Sequence, residues 1–315
     1  MKSIAQKIIK KDIKAAARLM RQIESEDLIA AGELKTLQEH TGGSHIIGIT
    51  GLPGSGKSTI IDVLIKHFRK NDKSVGVIAI DPSSPFSGGS LMGDRIRMKD
   101  HNLDGGVFIK SLPTRGWHGG ISKVTSRMIT VMDAMGKDII LVETAGVGQT
   151  EVDIKNLVHT TIVVLVGGLG DHIQVIKAGI IEIADIFIIN KVKGNNSAKD
   201  LELDLKSLFN LNGVEKRSWT PPVFLTEATD NMGIEALAGG IENHRKYLKK
   251  SGQYERYFEE KKNHDLKQMV EDYIIEEVKA RLKDKKVYKK LLDGISSIVD
   301  EDKLIKEKIL KDFFK

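Results

Sequence analysis

Gly51-Leu52-Pro53-Gly54-Ser55-Gly56-Lys57-Ser58-Thr59 decides the fold. Its spacing is Gly51, four residues, then Gly56-Lys57-Ser58, which is the pattern of a phosphate-binding P-loop. The apolar run His45-Ile46-Ile47-Gly48-Ile49-Thr50 precedes it and predicts a buried strand. Ile60-Ile61-Asp62-Val63-Leu64-Ile65 follows and predicts a helix. A strand, a glycine-rich turn and a helix N-terminus together turn backbone N–H groups and a partial positive charge toward an anion. In that frame Gly54, Ser55, Gly56 and Thr59 line the phosphates, Lys57 reaches the terminal phosphates, and the Ser58 hydroxyl ligates Mg2+.

Outward from the loop, short β-branched runs alternate with helical stretches. The runs are Val75–Ile80, 107–112, Ile139–Val142, Thr161–Val166, Ile186–Ile189 and Val223–Leu225. They are continuous rather than alternating, as in a mostly parallel sheet covered by helices on both faces. Several end on a polar residue: Asp81, Glu143, Asn190 and Thr226. In an open α/β sheet that edge is where ligands bind. The expected fold is therefore an α/β P-loop nucleoside triphosphatase with helical extensions at both ends. The expected domains are a helical extension over 1–40, a nucleotide domain over 41–250 and a helical arm over 251–315. Apolar residues Ile4, Ile8, Ile9, Ile13, Ala16, Leu19, Met20 and Ile23 recur at helical spacing in the first segment. In the last, Leu266, Met269, Val270, Tyr273, Ile274, Val278 and Leu282 form a stripe on a long helix. A second helical stretch is predicted over 302–313. A stripe on a protruding arm needs a cover: a second copy of the chain is the expected one, and the chain's own domain is the alternative.

The bulk composition narrows the class. The chain has 315 residues, 40% hydrophobic, with no apolar run long enough to span a membrane. The N-terminus lacks the apolar core of a secretory signal. There are no cysteines, which excludes disulfides and thiolate metal sites and fits a cytoplasmic protein. The net charge of +6 arises from 49 basic and 43 acidic residues interleaved along the chain. Aromatics make up 5%, without the basic–aromatic ladder that stacks single-stranded nucleic acid. Neither a nucleic acid nor a membrane is an expected partner.

Three further stretches carry chemistry. Asp81 and Asp94 bracket a segment rich in Pro, Ser and Gly, and their hard oxygens suit Mg2+. Glu143-Thr144-Ala145-Gly146-Val147-Gly148-Gln149 sets a carboxylate at a strand end with a glycine three residues on, an arrangement that senses Mg2+ and the γ-phosphate. Asn190-Lys191 opens a guanine-reading motif at the end of another strand. Together with Gly168-Leu169-Gly170-Asp171-His172-Ile173-Gln174-Val175-Ile176-Lys177-Ala178-Gly179 and the loop Pro113-Thr114-Arg115-Gly116, these stretches resemble the MeaB family. Its members are G-proteins that chaperone adenosylcobalamin-dependent acyl-CoA mutases such as methylmalonyl-CoA mutase, formerly also labelled ArgK transport ATPases.

The resemblance implies a GTPase that binds GTP and GDP and acts on such a mutase, and the apolar stripe on the last helix makes a homodimer the expected form. It implies that Ser58, Asp81, Asp94 and Glu143 surround Mg2+, directly or through water. Lys57 would neutralise charge in hydrolysis and Glu143 would orient Mg2+-bound water. The 81–95 loop and the stretch after Glu143 would be switches, and Gly168–Gly179 a further one with Lys177 answering the mutase. Asn190, Lys191 and the loop Thr226-Glu227-Ala228 would frame the base.

One residue departs from the pattern. The motif reads Asn190-Lys191-Val192-Lys193, with Lys where Asp is usual. Asp accepts hydrogen bonds from guanine, whereas Lys is donor-only. Asp200 lies too far along the chain to be assumed a substitute, so an altered base preference is expected. Other classes are a nickel-inserting type of metallochaperone GTPase, a transport-associated ATPase or kinase acting on an amino acid, and a scaffold that does not hydrolyse nucleotide. The first would need Cys or His ligands near the P-loop. The second needs an acceptor pocket and base that the sequence does not display. Mg2+-dependent phosphate release separates the third from the enzymes.

Overall fold

A computed structural model describes residues 3–25, 27–81, 99–101, 103–113, 120–144, 154–168, 180–211, 218–283 and 289. Three helices come first: α1 (Ile4–Ile9), α2 (Ile13–Glu24) and α3 (Leu28–Gln38). Then follow β1 (His45–Thr50), α4 (Lys57–Lys70), β2 (Val75–Asp81), β3 (Val107–Pro113), α5 (Gly120–Ala134), β4 (Ile139–Glu143) and β5 (Thr160–Val166). The chain continues through α6 (Ile180–Ile183), β6 (Ile186–Asn190), α7 (Ser197–Leu211), β7 (Val223–Thr226), α8 (Ile234–Lys250) and α9 (Gln253–Lys283). The described residues up to Lys261 form one compact unit, and the rest of α9 belongs to a second.

The described strands form one sheet in the order β3-β2-β4-β1-β5-β6-β7, and every neighbouring pair is parallel. β1 is central, with Ile49 registered against Glu143 of β4 and Gly48 against Thr161 of β5. Every residue of β1, β4, β5 and β6 is buried, which accounts for their uninterrupted apolar runs. Successive side chains alternate between the two faces. Ile46, Ile78, Ile140 and Val142 join α5 and the N-terminal helices in one core cluster. Ile47, Ile49, Val77, Leu141 and Val164 join α4 and α8 in another. Val163, Leu165, Phe187 and Ile189 pack with α7.

The first 38 residues carry one helical periodicity but make three helices. Lys11 adopts φ 66°, a conformation that cannot continue a helix, and Asp12 then caps α2 by accepting from Ala15 N. Ser3 and Gln6 form a reciprocal cap on α1, and Glu33 of α3 accepts from Ile4 N and Ala5 N. α2 and α3 pack on α5, so the N-terminal helices share the core with the sheet's outer helix.

The entry to β1 is fixed by Asp133, whose buried carboxylate accepts from Gly42 N, Gly43 N and Ser44 N at 2.7, 3.2 and 3.0 Å. At that end of the sheet lies a buried histidine group: His45, His159 and His244. Thr160 Oγ1 lies 2.8 Å from His45 Nε2 and 2.9 Å from His244 Nδ1. A hydroxyl donates only one hydrogen, so at least one of these imidazoles donates to Thr160. His159 Nδ1 accepts from Ile46 N, and its ring stacks on Tyr254 at 4.4 Å and meets Tyr257 edge-on at 4.2 Å. Tyr254 donates in turn to Ser44 O. Trp219 is a packing residue too, 4.7 Å from the His244 ring and donating to Asp185 O.

Candidate functional site

The opposite end of β1 carries the phosphate loop. The chain leaves the strand at Gly51 with φ 143°, where a Cβ would stand 2.2 Å from Val164 O, so only glycine fits. Gly56 opens α4 with φ 93°, and a Cβ there would meet Asn190 Nδ2 at 2.4 Å. No side chain caps α4, so its first amides keep their donors for a ligand. Gly54 adopts φ 78° on the exposed tip.

Four side chains of the loop follow from this backbone. Ser55 is 1% exposed and its Oγ has no hydrogen-bond partner, so a phosphate oxygen would satisfy a polar atom otherwise left without one. Lys57 is 7% exposed and donates from Nζ to Gly51 O at 2.7 Å and Leu52 O at 3.2 Å. Its ammonium is therefore held inside the loop, on the carbonyls that a phosphate would replace. Ser58 Oγ donates to Glu143 Oε1 at 2.7 Å. Thr59 is exposed on the first turn of α4.

Ser58 and Glu143 thus stand together as hard oxygen donors, and the set fits Mg2+. Among the described residues no group of three or more His, Asp or Glu side chains could hold a metal. That agrees with how Mg2+ binds beside nucleotides, through one or two protein oxygens with phosphates and water completing the shell. Glu143 ends β4 in register with Ile49, and Thr144 follows with Oγ1 donating to Thr50 Oγ1 at 2.9 Å. This hydroxyl pair fastens the exit of β4 to the start of the phosphate loop and carries no signature in the sequence. Asp81 ends β2 opposite Pro113 of β3, on the same edge of the sheet. Asp94, Arg115, Gln149 and Lys177 lie outside the described residues.

Asn190 joins the phosphate side to the loop after β7. It is 2% exposed, and its Nδ2 donates to Ser55 O at 3.0 Å. Its Oδ1 accepts from Thr226 Oγ1 at 3.1 Å and from Ala228 N at 3.2 Å. Lys191 then takes φ 60° and lays its ammonium on Gly54 O at 2.8 Å. Asn190, Lys191, Thr226 and Ala228 are thereby brought around one loop, as the motif requires. Glu227 Oε2 accepts from Lys193 N at 3.1 Å. Lys193 Nζ pairs with Asp230 Oδ2 at 2.8 Å, which raises the ammonium pKa. Asp230 was not singled out by the sequence, because nothing local marks an aspartate in a turn as the partner of a lysine 37 positions earlier.

Asn190→Ala removes three hydrogen bonds and leaves Ser55 O and Ala228 N buried beside a void. The expected cost is about 2–4 kcal/mol of folding stability, measured by urea unfolding. Nucleotide affinity in the same variant is expected to fall by at least ~10-fold, because both loops lose their common tether.

The family model described as "Methylmalonyl Co-A mutase-associated GTPase MeaB" matches residues 16–283. This chain belongs to the MeaB family. It is a P-loop nucleoside triphosphate hydrolase. A Pyrococcus abyssi protein bearing a provisional GTPase name is 46% identical over 281 residues, 89% of this chain and 87% of that one. A Pyrococcus horikoshii protein with a similar name is 41% identical over 302 residues, covering 95% and 93% of the two chains. Among solved structures, one described as a LAO/AO transport system kinase superposes with a TM-score of 0.70 over 99% of this chain and 96% of its own. At 22% identity that likeness concerns the MeaB fold alone. No helix among the described residues is long and apolar enough to cross a membrane.

Proposed function

We propose that this MeaB-family chain is a Mg2+-dependent GTP-hydrolysing switch that chaperones an adenosylcobalamin-dependent acyl-CoA mutase, such as methylmalonyl-CoA mutase, in the cytoplasm. The observation that carries the nucleotide part of this reading is the join of Ser58 to Glu143 at 2.7 Å beside the buried Lys57, and the mutase part rests on the family match. It sets a metal-suited oxygen pair next to a cation in a loop shaped for phosphate.

When bound, Mg2+ supplies positive charge to the phosphate oxygens. The chain's own groups do the rest. Backbone amides at the start of α4 and the Lys57 ammonium neutralise the charge that develops as water attacks the γ-phosphorus in line. Ser55 Oγ adds a donor from inside the loop. Ser58 and Glu143 would hold Mg2+, with Asp81 and Asp94 completing the set in one nucleotide state, and Glu143 would orient the water beside it. Asn190, Lys191, Thr226, Glu227 and Ala228 frame the base. Hydrolysis is slow without the partner, since a switch must persist in its loaded state. Nucleotide and mutase are coupled reciprocally: whatever factor the nucleotide changes mutase affinity by, the mutase changes nucleotide affinity by the same factor.

The working form is a homodimer. Leu266, Val270 and Ile274 recur at four-residue steps on α9 and are 53%, 48% and 41% exposed, an apolar stripe that a second copy would cover. A nickel-type metallochaperone is disfavoured by the absence of any cysteine.

The test couples two measurements. The purified chain is expected to release orthophosphate from GTP with Mg2+ and to stop with chelator. Capture from the native cell, with GDP and with a non-hydrolysable GTP analogue, is expected to recover a cobalamin-dependent mutase more in one state than the other. Recovery of no such enzyme in either state sinks the chaperone role.

A further inference from the structure

Guanine presents two parallel donors on one edge, N1–H and the 2-amino group, and a carboxylate can accept both. Lys193 accepts neither. Yet the structure gathers two carboxylates around it. Glu227 is engaged through both oxygens, with Oε2 accepting from Lys193 N at 3.1 Å and Oε1 from Thr229 Oγ1 at 3.0 Å. It is a positioning residue that holds the two loops in register. Asp230 differs. Its Oδ2 accepts from Lys193 Nζ, its Oδ1 accepts no hydrogen bond among the described residues, and its side chain is 47% exposed. It closes the short 3-10 turn Ala228–Asp230, whose first amide is anchored on Asn190 Oδ1. The turn ends on Asn231 in a left-handed conformation with φ 57°, and Glu227 bridges Met232 behind it, so the backbone that carries Asp230 is fixed.

We propose that Asp230 is the residue that reads guanine in this chain, presented from the turn after β7 and held there by Lys193, so that acceptor and donor have exchanged loops. This rests on the reading of the site as a nucleotide switch. An exposed ion pair such as Lys193–Asp230 is weak and readily shares its carboxylate. Guanine's two donors add to the ammonium rather than compete with it, because a carboxylate has about four lone-pair sites. Adenine offers no N1–H, and xanthine turns a carbonyl oxygen toward the carboxylate, so both are rejected. Hypoxanthine keeps N1–H but loses the amino group and falls between.

The experiment is displacement of a fluorescent guanine nucleotide from the full chain, with Mg2+, by GDP, IDP, XDP and ADP. The wild type is expected to bind GDP tightest, then IDP, with XDP and ADP weakest. Asp230→Asn is expected to weaken GDP by about 10- to 100-fold relative to XDP, the range for losing one bidentate base contact. Restoring a carboxylate at the neighbouring position, in the double variant Lys193→Asp with Asp230→Asn, is expected to recover the guanine preference. A thermal melt of each variant shows that the fold is kept. An unchanged GDP-to-XDP ratio in Asp230→Asn overturns the proposal and leaves the switch reading intact. So does a wild type that prefers XDP, which would place the Lys193 ammonium on the base. Binding of none of the four overturns the inference together with the reading beneath it.

Discussion

Lys57→Ala is expected to lose orthophosphate release almost completely, by about 1,000-fold, and triphosphate affinity by about 100-fold, figures typical of deleting a preorganised charged donor. The effect is large because the ammonium is already desolvated. It sits 7% exposed between Gly51 O and Leu52 O, so no rearrangement of water is needed when a phosphate displaces the carbonyls. Alanine leaves the loop with amides and hydroxyls but no cation of its own, and the charge that grows on the transferring group meets less compensation. Equilibrium titration and a phosphate-release assay read the two effects separately. Thermal melting of the variant controls for the lost tether to Gly51. Affinity and turnover both equal to wild type would remove the phosphate grip from the account.

The second large effect is on stability in mild acid. Burial holds His159 down to about 3 and His244 to about 4, and it holds His45 well below its ordinary value. Positive charge facing the group from other elements adds to the shifts of His45 and His159: Arg245 and Lys249 toward His45, Arg245 and Lys261 toward His159. Asp185 lies 3.6 Å from His244 Nε2. Neutral rings suit the surroundings, since His45 Nδ1 and His159 Nε2 have no partners that could accept from an imidazolium. The unfolded chain, with histidines near 6.5, binds protons that the folded chain refuses. Stability is therefore full above about pH 6.5 and falls as pH drops toward 4. His159 and His244 each cost about 2 kcal/mol at pH 5, and His45 acts in the same direction, so the group takes a large part of the stability of a typical domain. Urea unfolding at pH 7, 6 and 5 is expected to show stability dropping by about two protons' worth, roughly 3 kcal/mol per pH unit. A midpoint that does not move between pH 7 and 5 would mean the rings are charged or solvated.

The fold was legible because its signal is local. Each strand is a short run of β-branched residues, fully buried on both faces, and the polar residue that ends it marks the ligand edge. Glycines at 51 and 56 stand where the backbone leaves ordinary geometry, and they are the letters of the motif. The N-terminal break at Lys11 was less legible, since a lysine with φ 66° has no compositional mark and only Asp12 hints at a new start. The histidine group and the Lys193–Asp230 pair were not legible at all. Their members are separated by tens to hundreds of positions, and only the register of β1 with β5 and the bonds of Asn190 bring them together. Residues around Asp94, Gln149 and Lys177 lie outside the described residues, so their roles rest on the sequence.

Asn190 separates two jobs of the nucleotide site, holding its loops together and choosing its base. Its amide ties the phosphate loop, β6 and the turn after β7 into one frame through bonds in which neither Lys193 nor Asp230 takes part. Positions 193 and 230 hang from that frame on the outside, with side chains 75% and 47% exposed. Alphabet and hardware are thus uncoupled: substitutions at these two positions can rewrite which nucleobase is accepted while the triphosphate machinery stays assembled.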